Sequence, residues 1–214
     1  MKNKPILIVA GEPNSIFLEI FFKTFKKENF KSPLILICSK KILESQMKFF
    51  NYKFNIKSLD RNKINTYNLD NNSLNIINVD YNQKKTFEKI SIKSNSYIKK
   101  SFSIAFKLIK SNFTKKFING PISKKYFLNN KFLGITEYIT SEFKISNSAM
   151  LIYNNKLSVS PITTHLSIKN VPKKITKNLL IQNIKLIDIF FKNILKIKPK
   201  IAVTGLNPHC EGKT

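Results

Sequence analysis

The sequence predicts an α/β fold with a largely parallel sheet, and three observations point to it. Short apolar runs of strand length recur along the chain, segments with helical spacing of apolar residues separate them, and neither an internal repeat nor a Pro/Gly/Ser-rich linker breaks the alternation. The runs "PILIVA" and "PLILIC" are apolar at every position, as expected of parallel strands covered on both faces.

Each element follows in order. "PILIVA" at 5–10 reads as a first buried strand, Gly11 through Ser15 as a turn, and apolar residues at 16, 17, 20, 21 and 25 as a helix. "PLILIC" at 33–38 is a second strand, with Ser39 placed to cap a helix through "KKILESQMKFF". "NYKFNIKS" and "LNIINV" are shorter strand candidates around an Asn/Asp-rich loop. In residues 94–110, Tyr97, Ile98, Phe102, Ala105, Phe106 and Ile109 share a helical face that should pack on the sheet. "FING" is a strand end, followed by a Pro121 turn and a new helix in "PISKKYFL". "SAMLIYN" and "LSVSPIT", joined by "NNK", read as a hairpin marking a mixed sheet edge or a second subdomain. An amphipathic helix from about Ile175 to Leu195 and a last strand in "KPKIAVTGL" complete the pattern.

Composition bounds the function. The chain has 214 residues, 42% of them hydrophobic, with 18 Phe, which is enough to bury a real core. Its longest apolar stretches fall far short of the roughly 20 residues that cross a bilayer. Glu12 and Pro13 stand where a signal cleavage site would be, and the two cysteines, Cys38 and Cys210, suggest no disulfide framework. Both features are read as those of a cytoplasmic protein without a membrane partner. The net charge of +26 invites a nucleic-acid reading, yet Arg61 is the single arginine among 38 basic residues. Phosphate and base recognition favour the planar guanidinium, so the lysines are read as a solvated surface and no nucleic-acid partner is expected. A lysine-rich nucleic-acid-binding α/β protein is the alternative of a different class.

Open α/β sheets bind ligands in loops at the carboxyl ends of their strands. Four polar loops meet that description: "GEPNS" at 11–15, "NGPISKK" at 119–125, "TTHLS" at 163–167 and "GLNPHCE" at 205–211. Two of them carry the only histidines in the chain, His165 and His209. Neutral imidazole is a usual divalent-metal ligand, but two do not complete a site, and a satisfied structural histidine is the competing reading. Lys124, after a strand and a Pro turn, could meet a phosphate or carboxylate. Cys210 beside His209 could be a thiolate, although adjacent turn residues often point apart. "GEPNS" has one Gly and lacks the Gly-Lys-Ser/Thr ending of a phosphate-cradling loop, and no G-x-G-x-x-G stretch is present.

Taken in order, five segments resemble one family. "VAGEPNSIFLEI" resembles the opening Gly-Asp/Glu-Pro-x-Gly-Ile-Gly-Pro-Glu turn of the 4-hydroxythreonine-4-phosphate dehydrogenases, and "NGPISKKYF" their Pro-x-x-Lys loop. "FLGITEYI" is similar to their Gly-His-Thr-Glu-Phe segment, "TTHLSIKNVPKKIT" to their metal-binding Thr-Thr-His segment, and "GLNPHCE" to their Gly-Leu-Asn-Pro-His loop.

The resemblance implies a three-layer α/β/α fold like that of the isocitrate and isopropylmalate dehydrogenases. It implies a first domain over 1–120, incomplete without a carboxyl-terminal return, and a partial second domain over 121–214. It also implies a homodimer with its site at the interface, and NAD- and metal-dependent oxidation and decarboxylation of 4-phosphooxy-threonine to 3-amino-2-oxopropyl phosphate, a step toward pyridoxal phosphate. NADP could replace NAD, and the divalent metal could be Zn, Mg or Co. Carried over by position, His165 and His209 would be metal ligands, Thr136 a substrate contact and Lys124 a catalytic-site residue.

The family runs about half as long again, and its remainder supplies a third histidine and much of the NAD site. The chain is therefore expected to be an amino-terminal fragment unable to turn over substrate. Ser15, Phe17 and Leu18 replace the two glycines and the proline of the opening motif, Ile135 replaces a substrate-binding histidine, and Cys-Glu-Gly follows His209 instead of Ala-Gly-Glu. These departures leave room for a sister enzyme acting on phosphorylated four-carbon sugar acids, or for a non-catalytic remnant.

Overall fold

The computed structural model describes residues 3–129 and 131–207. The chain forms two compact units, one ending at Ile135 and one beginning at Thr136. Among the described residues, no helix is long and apolar enough to cross a membrane.

The first unit is a five-stranded parallel sheet flanked by helices. Its elements are β1 (Ile6–Val9), α1 (Phe17–Lys27), β2 (Leu34–Cys38), α2 (Lys40–Phe49), β3 (Ile56–Ser58), β4 (Leu74–Asn78), α3 (Asn95–Lys110) and β5 (Lys116–Asn119). The strand order is β3-β4-β2-β1-β5, with every pair parallel. Strand side chains alternate between faces, so each strand feeds two cores. Ile8, Leu36 and Ile76 pack with Leu18, Phe21 and Phe22 of α1 and Leu43 and Met47 of α2. α3 packs against β1 and β2. Its Phe102, fully buried, lies against the rings of Phe106, Phe117 and Phe127. Burying such a ring contributes about 2–3 kcal/mol. Ser39 caps α2 as expected, its hydroxyl accepting from the Ile42 amide.

Four expectations need correction. The strand read into "NYKFNIKS" shrinks to Ile56–Ser58, a short edge strand. The helix read into "PISKKYFL" is a single five-residue π turn, Lys124–Leu128, closed by Asn129 in the left-handed region. The hairpin at 148–162 reduces to one antiparallel bridge, Ile152 with Val159. Ile152, Leu157 and Val159 are all exposed, and a lone two-stranded ribbon without a covered apolar face is marginal in water. The sheet accordingly has no antiparallel edge. "KPKIAVTGL" forms no strand: among the described residues it has no neighbour to pair with, and Ile201, Val203 and Leu206 are exposed.

The second unit is helical where it is regular. After the start of α4 (Ile135–Glu142) come α5 (Val171–Lys174) and α6 (Lys177–Phe190), which continues as a π turn, Phe191–Leu195. The Thr176 hydroxyl caps α6 by accepting from the Leu179 amide.

Candidate functional site

From β1 the chain moves to β2 on one side, and only later does β5 settle on the other. Ligands of open α/β sheets bind at such a reversal, beyond the carboxyl ends of the two diverging strands. Here these ends carry "GEPNS" and "NGPISKK", and the two loops are bonded directly to each other. The Gly120 amide donates to the Val9 carbonyl at 2.7 Å, and the Glu12 amide to the Pro121 carbonyl at 2.8 Å. The approach is so close that both glycines are obligatory. A Cβ on Gly11, which sits at φ +77°, would lie 2.2 Å from the Pro121 oxygen, and one on Gly120 would lie 2.1 Å from the Ala10 oxygen.

Two side chains and one backbone amide from three other segments pin the first loop. The buried Glu12 carboxylate accepts from the Ser94 hydroxyl at 2.7 Å and, more weakly, from the Asn14 amide groups. The Asn14 side-chain oxygen accepts from the Glu88 amide, and Gln46 donates to the Pro13 carbonyl. Burial, together with the negative charges of Glu12 and Glu88, raises the Tyr81 phenol above its ordinary range. Where the resembling family has glycine and proline, Phe17 begins α1 and Leu18 is buried in the core. This loop is thus a rigid clasp rather than a phosphate cradle.

Lys124 opens the π turn after the clasp, exposed and with no hydrogen bond or ion pair from its ammonium among the described residues. A cavity of about 590 Å³ lies at the opposite, amino-terminal end of the strands, lined by Asn3, Phe30, Pro33 and Asp70 to Asn72. Asn71 there bonds the Leu34 amide and the Phe30 and Ser32 carbonyls, so its role is to join loops.

In the second unit the structure joins two of the predicted segments. Thr136 stands exposed in the first turn of α4, and Glu137 beside it reaches the Thr-Thr-His loop, accepting from the Thr164 hydroxyl at 3.4 Å. His165 occupies the left-handed region at φ +56°, its imidazole exposed and without a hydrogen-bond partner among the described residues. A non-glycine residue there costs about 1–2 kcal/mol, a strain that concentrates at functional sites. Tyr138 is buried, and burial, with the Glu142 charge, pushes its phenol up to about 12. Ile135 opens α4 and offers no polar atom.

His165 is suited to be one ligand of a divalent metal but does not complete a site. Among the described residues, no three His, Cys, Asp or Glu side chains gather as a metal centre would require. His209 and Cys210 lie outside the described residues. Sequence reasoning held Glu12 only as part of the "GEPNS" loop and gave no individual role to Ser94 or Glu137; Glu12 and Glu137 stood inside quoted motifs, whereas Ser94 carried no local signal.

The sequence profile of the family described as "Pyridoxal phosphate biosynthetic protein PdxA" matches residues 29–214. The chain belongs to this family. It is 32% identical over 210 residues to the 4-hydroxythreonine-4-phosphate dehydrogenase of Sulfurihydrogenibium sp. (strain YO3AOP1), covering 95% of this chain and 63% of that protein. With the D-threonate 4-phosphate dehydrogenase of Salmonella typhimurium it shares 22% identity over 215 residues, 98% of this chain and 65% of the relative. The fold matches the crystal structure of 4-hydroxythreonine-4-phosphate dehydrogenase from Klebsiella pneumoniae with a TM-score of 0.82 at 20% identity, over 97% of this chain and 64% of that one. The chain thus spans about 63% of the length of its Sulfurihydrogenibium relative.

Proposed function

We propose that this chain supplies the metal- and substrate-facing part of a PdxA-type dehydrogenase, one that oxidises and decarboxylates 4-phosphooxy-threonine to 3-amino-2-oxopropyl phosphate. One observation carries the reading beyond family membership. Thr136 and His165, which the resemblance assigns to substrate and metal, sit on two segments linked by the Glu137–Thr164 contact. When bound, NAD takes the hydride and a divalent metal stabilises negative charge on the substrate oxygen during oxidation and loss of carbon dioxide.

The chain's own residues would do the rest. The exposed Thr136 hydroxyl offers a hydrogen bond to substrate, and the His165 imidazole, turned outward by its left-handed backbone, offers a nitrogen lone pair, with His209 as the second ligand. Lys124, an uncommitted ammonium, is suited to a phosphate or carboxylate. The same reading includes an isocitrate dehydrogenase-like arrangement of two domains, a homodimer whose interface completes the site, and a cytoplasmic location. Ile135, in the place of the family's histidine, favours a substrate contact weaker than usual on that side. Because a related Salmonella protein is named a D-threonate 4-phosphate dehydrogenase, the four-carbon sugar acid is the competing substrate.

Calorimetric titration tests the reading. The chain should bind Co²⁺, His165→Ala should weaken binding by about tenfold or more, and with Co²⁺ present 4-phosphooxy-threonine should bind more tightly than D-threonate 4-phosphate. Identical Co²⁺ affinity in the unchanged chain and His165→Ala would remove the metal assignment, and reversed ligand preference would replace the substrate.

A further inference from the structure

Glu137 is arranged in a way that stability alone does not account for. An acidic residue in the first turn of a helix is favoured by the helix dipole when its carboxylate stays in water. Glu137 instead turns inward: one oxygen accepts the Thr164 hydroxyl at 3.4 Å, while the other, Oε2, is buried with no donor among the described residues. A buried carboxylate oxygen without a donor costs free energy. One residue beyond its partner Thr164 lies His165, held in the left-handed region. Two unfavourable features therefore meet at one long hydrogen bond, and local rules are broken in this manner where a site is being shaped.

We propose that Glu137 is a positioning residue: by accepting the Thr164 hydroxyl it fixes the turn at Thr163 to His165, so that the imidazole is presented as a metal ligand beside Thr136. The proposal rests on the ligand role of His165 given above. The helix supplies the rigid side of the contact, since the Thr140 hydroxyl closes on the Glu137 carbonyl at 3.0 Å. The loop side has no regular structure of its own, so Thr164 is its tether to α4.

The chain holds only two histidines, so their imidazole C2 protons give two lines in the NMR spectrum, which His165→Ala assigns. Glu137→Ala should move the His165 line toward the position of an unstructured histidine, leave the His209 line in place, and weaken Co²⁺ binding about tenfold. Thr164→Val should do the same, and the double variant should be no worse than either single one. Glu137→Gln, which keeps an acceptor for the Thr164 hydroxyl, should restore both the line position and the affinity. A purely structural role would lower the thermal midpoint without moving the His165 line selectively, and that result would overturn the proposal. So would single-variant effects that add in full. If His165→Ala binds Co²⁺ as tightly as the unchanged chain, the ligand reading fails, and the His165 line in Glu137→Ala still decides whether the carboxylate sets the turn.

Discussion

The two units treat the same kind of residue in opposite ways. In the first, Leu7, Ile35, Leu36, Ile37, Ile76 and Phe102 are fully out of water. Beyond residue 135, Tyr138 is the one large apolar side chain buried among the described residues, whereas Ile181, Ile189, Phe190 and Ile194 along α6 and its continuation are exposed. The same helix buries Asn183. The hydrophobic effect is proportional to area removed from water, so the first unit holds nearly all of the chain's folding energy. Apolar composition alone did not make a core; a sheet with two covered faces did.

Dissection is the strongest way to break this comparison. Residues 1–135 expressed alone should show a cooperative unfolding transition by circular dichroism, while residues 136–214 should show none; a sharp transition in the latter would overturn the contrast. A smaller but sharper test pairs two phenylalanines. Phe102→Ala should cost roughly 3–5 kcal/mol in urea denaturation, and Phe190→Ala, at a ring that is 37% exposed, well under half of that. Gly120→Ala comes next, at about 1–3 kcal/mol from the forced contact with the Ala10 carbonyl; a neutral result would mean that the clasp can open without loss.

These contrasts also explain what the sequence could show. "PILIVA" and "PLILIC" were legible because a central parallel strand is apolar on both faces, and the face of α3 was legible because Phe102, Ala105 and Phe106 keep helical spacing. "KPKIAVTGL" has the same apolar character but no partner among the described residues, and strandedness is a property of a pair, not of a segment. For the proposed site, the resemblance alone supplies the roles of Thr136 and His165. The Glu12–Ser94 bond, between residues 82 apart, and the backbone sign at His165 could not be read in advance, because neither leaves a trace in local spacing.

The sheet order has a consequence for synthesis. β1 pairs β2 early, but its other neighbour is β5, so Ile6 waits about 110 residues for Lys116. A ribosome adding roughly 5–20 residues per second leaves that edge of "ILIV" unpaired for several seconds after β1 has emerged. During that interval a wholly apolar strand of the nascent protein is an open template for another chain. The closing of the Gly11–Gly120 clasp ends this exposure, since it forms only when β5 has docked.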